Sequence, residues 1–162
     1  MGSWRLAVGC PICQPFLCEE WQSEPVGGGL PLSIFGMTGH KSLRVYQLAF
    51  ELAMEIFELS KTFPKDERYS LTDQIRRSSR SVAANIAEGY RKRQYPKMFV
   101  SKMADADGEG AETETWLDFA LSCGYIDKVK HESLFSRYEA VGGMLGKMIV
   151  APEKFMPRSR NS

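Results

Sequence analysis

Seven basic side chains crowd the segment from Arg76 to Lys97: Arg76, Arg77, Arg80, Arg91, Lys92, Arg93 and Lys97. A guanidinium presents a planar fork of donors that fits two phosphate oxygens at once. A surface that neutralises several phosphates this way binds a polyanion, and it does so with steep salt dependence. The chemistry implied is therefore recognition of RNA or another nucleic acid. A second reading stays open, because Asp105, Glu109 and Glu112 recur at i, i+4 and i+7 further along and could neutralise the same arginines within the chain. Aromatic residues, which recognition of single strands uses, are sparse beside the basic run, with only Tyr90 and Tyr95 in it.

The residues for catalysis are not assembled in the sequence. A di-metal centre in a helical bundle needs Glu-x-x-His pairs, and neither His40 nor His131 has a Glu three residues before it. Gly108 and Gly110 stand inside a helical pattern rather than after a strand, so they form no phosphate loop, and no nucleophile elbow occurs. Cys10, Cys13 and Cys18 give C-x2-C-x4-C, one ligand short of a closed zinc site, with no His nearby to complete it. We expect no enzyme activity, no metal and no cofactor.

Four helices position the basic set. Leu43, Tyr46, Phe50, Ala53, Ile56, Phe57 and Phe63 trace an apolar face with a period near 3.6, so a first helix runs from Ser42 to about Thr62. Ser70 is the expected N-cap of a second, with Asp73 three residues on and the stripe Leu71, Ile75, Val82, Ile86 ending towards Gly89. Pro96 suits the first turn of a third, whose face is Phe99, Met103, Ala106, Gly110, Leu117 and Leu121, with Gly124 as left-handed cap. Gly110 on that face marks a place for a neighbouring helix to come close. A fourth opens near Asp127 and carries Leu134, Phe135, Tyr138, Val141, Leu145, Met148 and Ile149 to Pro152. Amphipathic helices joined by short turns, without a strand signal, predict an all-α, up-down-up-down four-helix bundle over residues 38–152, followed by a frayed tail over 153–162.

The second helix is unusual in carrying small residues where a generic helix carries Leu: Ser78, Ser79, Ser81, Ala83, Ala84 and Ala87 invite close packing. Gln74, Ser78, Ser81 and Asn85 form a polar strip bordering its apolar face. An unpaired buried amide costs about 1–3 kcal/mol, so Asn85 is expected either to bond across to another helix, within or between subunits, or to sit solvated at the bundle edge.

Composition agrees with a single globular domain of 162 residues, 43% hydrophobic and 25% charged, with a formal net charge of +1. The charge is segregated: Lys65 to Lys102 holds ten bases against four acids, and Met103 to Asp118 six acids and no base. Residues 1–37, with Pro11, Pro15, Pro25, Pro31 and the run Gly27, Gly28, Gly29, read as a disordered leader, and Met37 offers an alternative start. No run reaches the roughly 18 apolar residues of a membrane span, and a reduced cytoplasmic setting is expected.

The motif FP-x-x-ER-x-x-L-x-x-Q-x-RR, met by Phe63, Pro64, Glu67, Arg68, Leu71, Gln74, Arg76 and Arg77, resembles the bacterial four-helix-bundle family of 23S ribosomal-RNA intervening-sequence proteins. The segment Ser81-Val82-Ala83-Ala84-Asn85-Ile86-Ala87-Glu88-Gly89-Tyr90 resembles its S-V-x-x-N-I-A-E-G-Y signature, and Leu43 to Ala49 resembles its first helix. The resemblance covers about residues 40 to 150 and implies a homopentamer, with Gln74, Ser81, Asn85, Glu88 and Gly89 as its structural or assembly signature. The accessory variability protein of diversity-generating retroelements is similar. There a basic surface of a barrel-like pentamer engages nucleic acid and a reverse transcriptase, which by analogy implies that role for Arg76, Arg77, Arg80 and Arg91 to Arg93. The third helix departs from the family pattern in being more acidic. The resulting expectation is a non-catalytic, self-associating nucleic-acid-binding bundle; the alternative is a protein-interaction scaffold that binds no nucleic acid.

Overall fold

The computed structural model describes residues 38–157. The expected leader, with Cys10, Cys13 and Cys18, and residues 158–162 lie outside the described residues. Four α-helices follow one another: α1 (Arg44–Leu59), α2 (Leu71–Arg91), α3 (Pro96–Ser122) and α4 (Lys128–Val150). Each packs against the next, and α1 closes on α4, as the expected bundle requires. No strand occurs among the described residues.

Local chemistry sets the helix ends. Ahead of α1 a 3-10 turn, Gly39–Ser42, is tied down by Gln47 Nε2 donating to the Lys41 carbonyl at 2.9 Å. After Leu59 the chain tightens into a second 3-10 turn, Ser60–Thr62. Ser70 occupies the N-cap position of α2, but its hydroxyl does not cap; it donates to Glu67 Oε2, and that carboxylate accepts from Leu71 N. Three orienting bonds therefore converge on Glu67, since Tyr125 Oη donates to its other oxygen at 3.1 Å. The Ser70, Leu71 and Tyr125 donors outweigh desolvation and hold the Glu67 carboxyl below its ordinary range. At the far end of α3, Gly124 adopts φ 74°. Its N–H donates to Leu121 O, and the next, Tyr125 N–H, to Ala120 O, both at 2.9 Å. That pair of bonds is the Schellman arrangement, and it turns the chain sharply into α4. Asp127 caps α4 by accepting from Lys130 N at 2.7 Å.

On α1 the core differs in part from expectation: Ala53, Ile56 and, just beyond the helix, Phe63 are buried as expected, but Tyr46, Phe50 and Phe57 are not. The buried face of α1 is Val45, Ala49, Leu52, Ala53 and Ile56, while Phe50 is 44% exposed and Tyr46 and Phe57 are only partly buried. Both rows recur at i, i+4, i+7 and i+11, and the smaller row went inside. Ala49 and Ala53 let the backbone of α1 approach its neighbours, which a Phe at either position would prevent. The faces of α3 and α4 follow the sequence pattern, with Thr113 and Ala120 added on α3 and Leu121, Phe135 and Ile149 only partly buried. The tail also differs from expectation. Pro152–Phe155 forms a 3-10 turn that stacks Phe155 on the buried Phe99 with centroids 5.8 Å apart, so order extends past residue 153.

Small residues on α2 meet α3 at close range. Ser78 and Ser79 are buried, and Thr113 Oγ1 donates to Ser78 Oγ at 2.9 Å. The closest approach is at Gly89 rather than at Gly110. A Cβ on Gly89 would lie 2.3 Å from Met103 Cε and 3.0 Å from Lys102 Cβ, whereas one on Gly110 would meet nothing within 4 Å. Between α1 and α4 the link is ionic: Glu55 accepts from Lys130 (2.6 Å) and from Arg137, which also reaches Glu51 at 2.9 Å. Burial opposes the charge on Glu55, but the hydrogen bonds and positive charge of Lys130 and Arg137 outweigh it and hold its carboxyl below the ordinary glutamate range.

Two outcomes follow from this packing. Gly89→Ala gains up to about 1 kcal/mol of helix propensity. It also drives a methyl into the fully buried Met103 tip, so net destabilisation of about 1–2 kcal/mol is expected by denaturant titration. Glu55→Gln is expected to cost about 1 kcal/mol at neutral pH. Because the folded pKa of Glu55 lies below the unfolded one, its contribution is present above the unfolded pKa, about 4.3, and vanishes as pH falls through the folded value. Melting curves of wild type and variant should thus converge in acid; a gap that persists there would contradict the ion-pair assignment.

Candidate nucleic-acid interface

The basic residues do not share one patch. Arg76, Arg77 and Arg80 stand on the first half of α2, and Arg91 to Arg93 and Lys97 at its end and in the turn to α3, about 20 Å away at 1.5 Å per residue. In the first group, Arg76 Nε donates to Ser60 Oγ at 2.6 Å, and its guanidinium lies 5.0 Å from the centre of the Phe57 ring. Arg80 lies 5.6 Å from the same ring, and Lys61 Nζ, which also pairs with Glu58 at 2.7 Å, lies 4.6 Å from it. A cation held over an aromatic face keeps its donors available to a further acceptor, which an ion pair would not allow. In the second group, Arg93 sits 3.8 Å over Tyr90 and donates to the Tyr90 carbonyl, while Arg91 is exposed.

The lysines are partly spoken for. Lys92 pairs with Glu88 one turn back, and Lys102 of α3 reaches Glu88 at 3.1 Å and Asp105 at 3.2 Å. Hydrogen bonds from Lys92 and Lys102 hold Glu88 below its ordinary range, and those from Lys102 to Glu88 and Asp105 hold Lys102 above its own. Lys97, exposed at the start of α3, stands near Lys92 and Lys102 around a shallow open hollow.

Among the described residues the expected pairing of these arginines with the acidic stripe of α3 does not form as ion pairs. Among the described residues, Arg76, Arg77, Arg80, Arg91 and Arg93 have no carboxylate within 4.0 Å; the only arginine so paired is Arg137. Asp105 is taken by Lys102, and Glu112 accepts from Trp116 Nε1 at 3.1 Å. Glu109 shows how weak the remaining coupling is. Burial and then Glu112 push its carboxyl above the ordinary range, and the opposing charge of Arg77 does not reverse that.

The signature residues of α2 serve the contact with α3. Lys102 Nζ donates to Asn85 Oδ1 at 3.3 Å, so Asn85 does bond across to another helix, within its own subunit. Glu88 anchors the same lysine, and Gly89 makes room for the lysine's Cβ. Gln74 and Ser81 are partly buried on the same side. Sequence reasoning missed the rings beside the arginines, because Phe57, Phe50 and Tyr46 were assigned to the core; the competing row Val45, Ala49, Leu52, Ile56 was the signal that could have placed them outside. Among the described residues no three His, Cys, Asp or Glu side chains stand close enough to hold a metal ion, and Cys123 is a free, exposed thiol. No described helix is long and apolar enough to cross a membrane.

Known proteins with this arrangement are similar in both sequence and fold. The crystal structure of a protein of unknown function from the S23 ribosomal protein family of Bacteroides thetaiotaomicron superposes with a TM-score of 0.60 at 29% identity, covering 65% of this chain and 95% of that one. No curated protein matches. The sequence family described as 23S rRNA-intervening sequence protein matches residues 41–147, most of the chain and nearly all of the bundle, and the chain belongs to that family.

Proposed function

We propose that this protein is a non-catalytic, self-associating bundle of the cytoplasm that binds RNA or another nucleic acid through α2 and the turn that follows it. The observation that carries this reading is the set of five arginines, Arg76, Arg77, Arg80, Arg91 and Arg93, that no carboxylate of the described chain neutralises. Three of them are instead braced, Arg76 and Arg80 by the Phe57 ring, Arg76 also by the Ser60 hydroxyl, and Arg93 by Tyr90, in a way that leaves guanidinium donors for phosphate, while Arg91 is exposed. Arg77 is exposed, and its charge acts on Glu109 of α3 without a contact within 4.0 Å.

Self-association, as the homopentamer implied by the family resemblance, is supported by apolar surface left outside the bundle. Phe119 is 51% exposed on the outer side of α3, in line with Ala104, Gly108 and Ala111 at helical spacing. A face of small residues with one large anchor suits a second helix at short range. A reverse transcriptase is a further partner by analogy with the accessory variability protein.

Fluorescence anisotropy with labelled RNA across a salt series tests the reading. Binding should weaken by about 0.7–0.9 log units per phosphate contact for each tenfold rise in salt. Replacing Arg91, Lys92 and Arg93 together by Ala should lower affinity and flatten that slope while leaving the mass in light scattering unchanged. Salt-independent binding to protein partners only would favour the scaffold alternative. An arginine variant that falls apart into protomers would show those residues to be assembly contacts.

A further inference from the structure

The aromatic row at the margin of the core, with Tyr46 and Phe57 partly buried and Phe50 exposed, lies along the arginines of α2. The two helices are antiparallel neighbours, so the Phe57 end of α1 faces Arg76 and Arg80, and the Tyr46 end faces Tyr90 and Arg91. Tyr46 and Phe50 stack with centroids 6.2 Å apart. His40, from the 3-10 turn ahead of α1, meets Tyr46 edge-on at 4.9 Å and Tyr90 at 6.4 Å. Burial, then the positive charges of Arg91 and Lys41, lower the His40 pKa, so both cations stand close to that junction and the imidazole is neutral at physiological pH. Rings therefore run the length of the α1/α2 edge, from Phe57 through Phe50 and Tyr46 to His40 and Tyr90, and a guanidinium accompanies the row at each end.

From these contacts we propose that the α1/α2 edge is a track for unpaired nucleotides, in which Phe50, backed by the stacked Tyr46, offers a face for a base while Arg76 and Arg80, steadied on the Phe57 ring, and Arg91 hold phosphates. This rests on the nucleic-acid reading above and narrows it to single strands. A base offers a π-face only when it is unstacked from its own helix, whereas a duplex presents phosphates alone to such a surface. Phe57 and Tyr46 stand about 16 Å apart at 1.5 Å per residue, room for a few extended nucleotides. Charge complementarity selects this occupant over an apolar peptide, since a helix laid on the rings would strip water from the uncapped guanidiniums, a desolvation that only matching carboxylates could offset. Phe50 is the ring to test, because it is 44% exposed, stacks on Tyr46 and has no described cation over its face.

The experiment measures anisotropy of the full chain with labelled oligouridine, oligothymidine and a duplex of equal length, all at one low salt concentration. Both single strands should bind several-fold more tightly than the duplex, and a gap between the two would tell whether RNA or DNA is the natural strand. Phe50→Leu keeps the apolar bulk and removes the π-face. It should weaken single-strand binding about fivefold or more and leave duplex binding and the light-scattering mass unchanged, and Phe50→Trp should restore it. Equal affinity for duplex and strand, with Phe50→Leu without effect, would overturn the track while leaving polyanion binding by α2 in place. Loss of assembly in Phe50→Leu would make the row a contact between copies of this chain and overturn the track too. Failure of every nucleic acid to bind would remove both readings together.

Discussion

Helix α2 lies close against α3 because, beside its stripe of Leu71, Ile75, Val82 and Ile86, it buries small residues where the two helices meet. Ser78, Ser79 and Gly89 are buried there, and at Gly89 even one methyl would collide with Met103. The hydroxyl of Ser78 meets that of Thr113, so close approach is achieved without stranding a buried polar group. A helix pinned this way has little freedom to rotate. Its long side chains, the arginines above all, are left on the sides that face α1 and solvent, and the segregation of size on one helix becomes a segregation of charge on the molecule.

That arrangement explains why the acids of α3 leave the arginines alone. At the Glu88 end of α2, Lys102 is held by Glu88, Asp105 and the Asn85 side-chain oxygen and takes up the negative charge there, while Glu112 accepts from Trp116 and Arg77 acts on Glu109 only at longer range. An exposed ion pair contributes about 0–1 kcal/mol, so folding gains little from capping a guanidinium and loses little by leaving it open. Phe57 supplies a cheaper support for Arg76 and Arg80: a ring steadies the planar cation without consuming its donors. The stability of the α1 junction comes from elsewhere, through Glu55 and its two cations on α4. Fold and surface are thus held by different residues, which lets the surface carry unbalanced charge.

Much of this was legible in the sequence. Four periodic segments, the Pro96 start, the Gly124 turn and the Asp127 cap correspond to what the backbone does, because each rests on local chemistry that needs no neighbour. The α1 face was legible only at Ala53 and Ile56, since two apolar rows of equal period compete there and hydrophobicity alone favours the aromatic one. Packing favours the other, because only Ala49 and Ala53 admit neighbouring helices so closely. The close contact at Gly89 rather than Gly110 depends on the relative shift of α2 and α3, a tertiary quantity that neither segment encodes by itself. The cap of α2 by Glu67 instead of Ser70 was hidden for a similar reason, as Tyr125, far along the chain, helps to orient the carboxylate. Of the basic set, position was readable and partnership was not.

Misplacing the aromatic row and finding few aromatics near the basic run are the same error. Read along the chain, Arg76 and Arg80 have no ring beside them; folded, Phe57 is their immediate neighbour. The general point concerns how helical bundles make composite surfaces. A single helix that presented aromatics and arginines together would have to give up its apolar stripe, whereas two antiparallel helices can each keep a buried face and contribute one residue class to a shared edge. In the proposed assembly every copy would repeat that edge. Linked sites act at high effective concentration, so weak attachment at each copy would suffice to hold one long strand, provided that successive edges lie within the strand's reach.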